Sequence, residues 1–361
     1  MVETAKNSMS LCVIVPAFNE ELLIGKGIES LLRSGLSPPD IYVIDDGSID
    51  RTSLIADSFG VNVIRNAANQ GKAESIKRVI KRFEIQERYD YMALLDADTQ
   101  VDKNYVRAIE KAFALNPSAN IICGQPVSRP YNWLTSWRAC SYFLGRYVFK
   151  GAQSKMRVIF VASGCASIYR TSIVDRIDWN SETLVEDMDV TIQAYRNKLG
   201  RVIYDRGIVT FTQDPRTLKE YIGQMNRWYK GTWNVAKKHR LPFGFQLIDL
   251  EFLFLLGEGL IVSLFVVSLP LWFLFSPKWT LMLLVWELAT MGLIAVTGSI
   301  VERRLDMVKY FPVFWLLKIL DAIILLHSFV FIILMRRSTA VWFKVGRYCY
   351  RENISTGGNN G

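Results

Sequence analysis

The sequence predicts an α/β fold, a doubly wound and largely parallel sheet, followed by membrane-embedded α-helices at the C-terminal end. Three observations carry that expectation. Short β-rich apolar runs alternate with segments of helical periodicity from Leu11 to Gly124. Acidic clusters follow two of those runs directly, at the carboxyl ends of strands where open α/β sheets bind ligands. Finally, the stretches Phe252–Phe275, Trp279–Val301 and Phe311–Met335 are each long enough to cross a hydrocarbon core of ~30 Å, which takes ~20 apolar residues.

The elements follow in order. "LCVIVP" (Leu11–Pro16) is too short for a helix and reads as a buried strand. Leu23, Ile24, Ile28, Leu31 and Leu32 then recur at helical spacing until Gly35 closes the segment. "IYVID" (Ile41–Asp45) is a second strand, Thr52–Phe59 a short helix and "VNVI" a third strand. Ile76, Val79, Ile80 and Phe83 mark a helix after Gly71. "YMALLDAD" (Tyr91–Asp98) is a fourth strand, followed by a helix near Asn104–Leu115 and a strand near Asn120–Gly124. Tyr131–Lys150 places aromatic residues at helical spacing but carries Arg138 and Arg146, so it reads as an in-plane or core helix.

Composition narrows the function. The 361 residues are 50% hydrophobic with net charge +9, a balance that favours phosphorylated substrates or anionic lipid. No zinc-finger spacing, RNP-like strand or basic-region heptad is present, so nucleic acid is not an expected partner. Five widely spaced cysteines without a C-x-x-C point to a reducing compartment. With two histidines, His239 and His327, a His-based metal or Ser-His-Asp site is not expected.

The chemistry-bearing residues sit after strands. "DDGSID" (Asp45–Asp50) reads either as a turn and helix cap, with Gly47 supplying positive φ, or as part of a binding site. "DADT" (Asp96–Thr99) concentrates negative charge at a strand end, which suits a hard divalent cation bridging to a diphosphate; its alternative is a capped turn. In "NQGKAES", Gly71 allows close backbone approach and Lys72 lies at a helix N-terminus, a place that favours phosphate, although G-x-x-x-x-G-K-[ST] is absent. "SGCASIYR" (Ser163–Arg170) and "LVEDMDVT" (Leu184–Thr191) complete the set. Glu186, Asp187 and Asp189 could be favourable charge at a helix start, or could supply a general base. Gln224–Arg240, "QMNRWYKGTWNVAKKHR", could be an interfacial amphipathic helix with Trp233 in the headgroups and Lys237, Lys238 and Arg240 facing anionic lipid.

The ordered set VPAFNE, DDGS, N-x-G-K-A, D-A-D, S-G, E-D and Q-x-x-R-W, running from Val13 to Trp228 before a membrane segment, resembles glycosyltransferase family 2 in its membrane-embedded processive branch of hyaluronan, chitin, cellulose and poly-N-acetylglucosamine synthases. The resemblance implies a GT-A type nucleotide-binding domain and an inverting, metal-dependent transfer from a UDP-sugar to a growing polysaccharide. The alternative is transfer of one sugar to a lipid acceptor, a polyprenyl phosphate or a ceramide-like lipid. It also implies roles. Pro16 would lie at the nucleotide, Asp45 or Asp46 would contact the uridine, and Lys72 and Asp96 would lie near the nucleotide. Asp98 would hold Mg2+ or Mn2+. Asp187, with Glu186 beside it, would be the base. Arg227 would stabilise the leaving diphosphate, and Trp228, Gln224 and Gly164 would meet the acceptor. The family's T-E-D reads Val185-Glu186-Asp187 here, so the threonine is missing while the base is kept.

The expected division is a cytosolic catalytic domain over 1–220, an interfacial segment over 221–250, membrane helices over 251–337 and a basic, then disordered tail over 338–361. Two spans are expected, and the third apolar stretch reads as a span or as a re-entrant or in-plane helix. Lys318 and Asp321 are expected to pair at helical spacing, with a polymer conduit as the alternative use of Glu258, Glu287, Lys318 and Asp321. A multi-pass protein of the cell membrane is expected, contacting lipid, with a second copy or a partner subunit supplying any further helices.

Overall fold

A computed structural model of the protein describes residues 9–179, 184–337 and 346–348. Eight strands, β1 (Leu11–Ala17), β2 (Ile41–Asp45), β3 (Asn62–Arg65), β4 (Tyr91–Leu94), β5 (Gln100–Val101), β6 (Ala119–Ser128), β7 (Ser167–Arg170) and β8 (Arg201–Thr212), form one sheet in the order β3-β2-β1-β4-β7-β6-β8-β5. The helices flanking it are α1 (Ile24–Arg33), α2 (Thr52–Asp57), α3 (Lys72–Arg82), α4 (Ile85–Arg88), α5 (Tyr105–Leu115), α6 (Trp133–Leu144), α7 (Lys150–Lys155) and α8 (Glu186–Arg196). Four long helices follow: α9 (Leu218–Lys238), α10 (Leu247–Phe275), α11 (Pro277–Glu302) and α12 (Asp306–Phe329).

Side chains alternate across β1, as the pleat requires. Val13 and Val15 pack with Ile28, Leu31, Tyr105 and Ile109 on one face, and Cys12 and Ile14 with Ile76 and Ile80 on the other. Strands β1, β2, β3 and β4 pair in parallel, as expected from the alternation. The other half of the sheet is mixed. β7 runs antiparallel between β4 and β6, with Ile168 opposite Ala93 on one side and Ile122 on the other. This strand and β8 are absent from the sequence expectation. β7 has four residues, too few for a period, and the run of β8 is broken by Asp205-Arg206-Gly207 and by a register shift between Cys123 and Gln125 of its partner. The expected strand Tyr91–Asp98 ends at Leu94, leaving Asp96 and Asp98 in the loop beyond it.

Tyr131–Lys150 forms a core helix. α6 starts on an Asn132–Thr135 capping box, continues through one wide turn at Gly145–Phe149 and leads into α7. α10, α11 and the stretch Asp306–Leu334 are each long and apolar enough to cross a membrane. α10 and α11 form a hairpin with both feet on the α/β domain. Asp249 binds Arg196 at 2.6 Å, and Glu302 binds Arg146 at 2.5 Å. α12 touches the domain at three places along its length. Asp306 lies on Ser136 of α6, Asp321 accepts from Tyr221 of α9 at 2.7 Å, and Ser328 accepts from Trp233 Nε1 at 3.1 Å. Lys318 pairs with Glu287 of α11 and Asp321 is taken by Tyr221, so the expected Lys318–Asp321 pair does not form. Apart from Gly346–Tyr348, the tail over 338–361 lies outside the described residues.

Candidate active site

A cavity of about 650 Å³ opens beyond the carboxyl ends of β1, β2 and β4 and is lined on one side by Gln224, Arg227, Trp228 and Thr232 of α9. Pro16, Asp46, Lys72, Asp96, Asp98, Gly164, Glu186, Asp187, Gln224, Arg227 and Trp228 all line it. The structure thus brings together every candidate from the sequence except Asp45. That carboxylate is set back from the cavity, accepting from Ser48 N at 2.8 Å and from the Ser53 hydroxyl. It holds the turn at Gly47, whose φ of +79° and the 2.8 Å between an added Cβ and Ala68 both demand glycine.

One side of the cavity is built from β-strand ends and the start of α3. Asp46 accepts from the backbone of Gln70 at 2.9 Å and Gly71 at 2.8 Å, and from Asn66 at 2.7 Å. This fixes the loop that aims Lys72. Lys72 Nζ bridges Asp96 at 2.7 Å and Glu186 at 2.5 Å, joining β4's loop to α8. Burial works against charge on Lys72, but Asp96 and Glu186 outweigh it and hold its pKa well above the ordinary lysine value. Burial likewise opposes the charge on Asp96, and Lys72, Arg227 and Arg347 overcome it, holding that carboxyl below the usual range.

Two residues that the sequence did not single out complete this side. Arg347 binds Glu20 through Nε at 2.7 Å and Asp98 Oδ2 through Nη1 at 2.8 Å. Its neighbour Tyr348 is fixed outside the cavity by Glu220 and by the guanidinium of Arg216, which lies 4.5 Å from its ring. Nothing local marks a basic residue in a basic tail as part of a site formed by Glu20, 327 positions earlier. Burial, opposed by Arg347 and helped by Asp96 and Glu20, pushes Asp98 up to about 6.

On the opposite wall Asp187 Oδ2 accepts from Gly164 N at 3.0 Å and Oδ1 from Met188 N at 2.8 Å. Burial and the adjacent charge of Glu186 raise its pKa above the ordinary aspartate value. An ionisable oxygen in this state suits proton abstraction. Arg227 is anchored by Leu184 O at 3.2 Å. Gln224 Oε1 is buried and, among the described residues, accepts no hydrogen bond, the condition of an acceptor waiting for a ligand hydroxyl.

Among the described residues six acids and three cations line the cavity. The residual negative charge fits a divalent cation. Among the described residues no three His, Cys, Asp or Glu side chains gather to cage one, so the donor set fits an ion held by one or two carboxylates and completed by diphosphate oxygens.

Comparison with known proteins bears on the family and the fold. Residues 12–178 match the model of glycosyl transferase family 2. The Bacillus subtilis protein named probable glycosyltransferase YdaM is 25% identical over 339 residues, covering 86% of this chain and 79% of that one. The poly-beta-1,6-N-acetyl-D-glucosamine synthase of Staphylococcus epidermidis is 24% identical over 63% of this chain. The N-acetylglucosaminyltransferase of Azorhizobium caulinodans is 27% identical over 61%. The aligned part spans 56% and 59% of the length of those last two proteins. Among solved structures, the mannosyltransferase PcManGT of Pyrobaculum calidifontis, in complex with GDP-Man and Mn2+, superposes with a TM-score of 0.60 at 15% identity, covering 88% of this chain and 87% of that one. That likeness is one of fold.

Proposed function

We propose that this chain, a glycosyltransferase whose residues 12–178 are a glycosyl transferase family 2 domain, is a membrane-bound, inverting and processive enzyme that extends a polysaccharide from a UDP-sugar. UDP-N-acetylglucosamine is the first donor to test, because two relatives are named for N-acetylglucosamine transfer. The observation that carries the reading is the convergence of Asp187, the Lys72–Asp96–Asp98 side and the Gln224–Arg227–Trp228 face on one cavity.

Asp187 takes the proton of the acceptor hydroxyl as its oxygen attacks the sugar C1 from the face opposite the nucleotide. The bond from C1 to the β-phosphate oxygen breaks, and its electron pair leaves with UDP. Arg227 lies in the cavity to meet that charge with a planar fork suited to phosphate oxygens. Gln224 Oε1 is the free acceptor for a sugar hydroxyl, and the Trp228 indole offers a flat apolar face to the acceptor ring. Asp98, with Asp96 behind it, would hold Mg2+ or Mn2+, which supplies charge stabilisation to the diphosphate when bound.

In the membrane, α10 and α11 serve as the two spans. α12 lies along the catalytic domain, a placement supported by its contacts with Ser136, Tyr221 and Trp233. The catalytic domain and Arg347 then share the cytosolic side. A hairpin and one lying helix are few to enclose a polymer conduit, and this favours a second reading, transfer of one sugar to a lipid acceptor such as a polyprenyl phosphate or a ceramide-like lipid.

The test is transfer by detergent-purified protein from a panel of radiolabelled UDP-sugars with Mn2+ or Mg2+, with product separated by size. High-molecular-weight product from one donor, lost by about 10²–10⁴-fold in Asp187→Asn, is expected. Label only in the organic extract would establish the lipid reading instead, and an active Asp187→Asn would refute the assignment of the base.

A further inference from the structure

Behind the acceptor face lies a buried charge that the mechanism does not use. Arg138 of α6 is 4% exposed and does not line the cavity. Its guanidinium lies 4.7 Å from the ring centre of Trp228 and 4.7 Å from that of Tyr142. Both rings line the cavity. Arg138 Nη2 donates to the Tyr142 hydroxyl at 3.0 Å, and that hydroxyl in turn donates to Asp214 Oδ1 at 3.3 Å. Asp214, 4% exposed in the segment between β8 and α9, is the counter-ion, with Oδ1 3.5 Å from Arg138 Nε.

The cluster is costly to bury. A charge pair away from water holds its place only where geometry and further hydrogen bonds compensate for desolvation. A hydrophobic filling would serve packing alone at less cost, so its form needs another reason. A guanidinium is flat and stacks on aromatic faces, and it attracts the electron-rich face of an indole most strongly when both are out of water. Here one guanidinium addresses two rings, from different helices, that form adjacent parts of the same wall.

We propose that Arg138 is a positioning residue for acceptor binding. Anchored by Asp214, it holds the Trp228 indole and the Tyr142 ring in the orientation that packs against the acceptor sugar, and Tyr142 is itself an acceptor-contacting residue. The inference rests on the reading of Trp228 as the acceptor platform.

The experiment uses the full chain in detergent, with UDP-N-acetylglucosamine as donor and a β-linked N-acetylglucosamine trisaccharide as acceptor. The variants are Arg138→Met, Arg138→Lys, Tyr142→Phe and the pair Arg138→Met with Asp214→Asn. The last removes both charges together, so no carboxylate is left buried alone. UDP affinity and the melting midpoint are recorded for each. In the paired variant the acceptor KM rises about tenfold while kcat, donor KM and UDP affinity stay within about threefold of wild type. Arg138→Lys does not restore the acceptor KM, because an ammonium cannot lie flat between two rings. In a Trp228→Leu background the loss from the paired change shrinks to the part carried by Tyr142. Tyr142→Phe keeps the ring but removes the hydroxyl that links Arg138 to Asp214, so its acceptor KM also rises, by less than in the paired variant.

An unchanged acceptor KM in a folded, UDP-binding paired variant overturns the inference, as does an equal loss in the Trp228→Leu background. A parallel fall in UDP affinity, kcat and melting midpoint also overturns it, since that pattern belongs to general support of the fold. Failure of the wild type itself to transfer from this donor to this acceptor overturns the broader functional reading and is seen before any variant is compared.

Discussion

Gly231 of α9 is in contact with the segment that carries Asp187, the proposed base. A Cβ added there would lie 2.8 Å from both Val185 methyl carbons and 3.3 Å from Val185 Cβ. Val185 is the N-cap of α8, and Glu186 and Asp187 follow it directly. In Gly231→Ala the helix gains about 1 kcal/mol from the better helix former. Overpacking costs about 1–3 kcal/mol, so net stability falls by ~0–2 kcal/mol. Activity should fall further than stability. Restoring ordinary contact requires Val185 to retreat by ~1 Å, and a displacement of that size at a reacting group can cost up to ~10²-fold in rate. The assay is initial-rate transfer from the UDP-sugar alongside thermal melting. Adding Val185→Ala removes the two methyls that clash, so the double variant should recover most of the lost rate. Full activity in Gly231→Ala, or no recovery in the double variant, would refute the reasoning that this contact sets the position of Asp187.

Other outcomes follow from the charges. Asp189 is fully buried and bound to Lys238 Nζ at 3.0 Å and to His239 Nε2 at 2.7 Å. Asp189→Asn should therefore cost about 3 kcal/mol in urea unfolding at pH 7. Burial opposes charge on Asp189, but its bonds to His239 and Lys238 hold its pKa below the ordinary 3.8. The stabilisation is present above that value and lost as pH falls through the lowered one, so wild type and variant should converge in acid. As the proposed base, Asp187 must be ionised to act, and its pKa is raised above 3.8, so the acid limb of kcat/KM should lie above that of an ordinary aspartate. Lys72 acts to lower that pKa, so Lys72→Met should move the limb to higher pH as well as weaken UDP binding. Arg347 occupies Asp98 Oδ2, so Arg347→Gln should raise affinity for Mn2+ in the absence of donor by several-fold, read by electron paramagnetic resonance.

The acids at Asp46, Asp96 to Asp98, and Glu186 to Asp187 were legible in the sequence because each cluster ends or begins an element, and strand ends in such sheets converge on one crevice. Choosing between Asp45 and Asp46 was not legible. Adjacent positions point to opposite sides, and the direction depends on the sheet's pairing, Asp45 lying opposite Arg65 of β3. The charges on the apolar helices show the same limit. Spacing offered Lys318 and Asp321 to each other, whereas tertiary packing gave Lys318 to Glu287 and Asp321 to Tyr221. Arg138 was visible as an anomaly in an aromatic helix, but its partner Asp214 and the Trp228 ring come from elements more than seventy residues away. Local pattern specifies the elements and their ends. The partners of buried charges are set only when distant elements meet.

The contact between Arg347 and Asp98 also acts as a ruler. Ten residue steps separate Arg347 from Arg337, the last described residue after α12. Fully extended, such a leash reaches at most about 36 Å. Asp98 lines the cavity with its side chain 10% exposed, so a chain end leaving the far side of a hydrocarbon core ~30 Å thick could not return to it through both the membrane and the α/β domain. Under the proposed membrane reading, the leash ties the end of α12 to the face of the bilayer that carries the α/β domain. A reporter fused after Gly361 should be read from that same face.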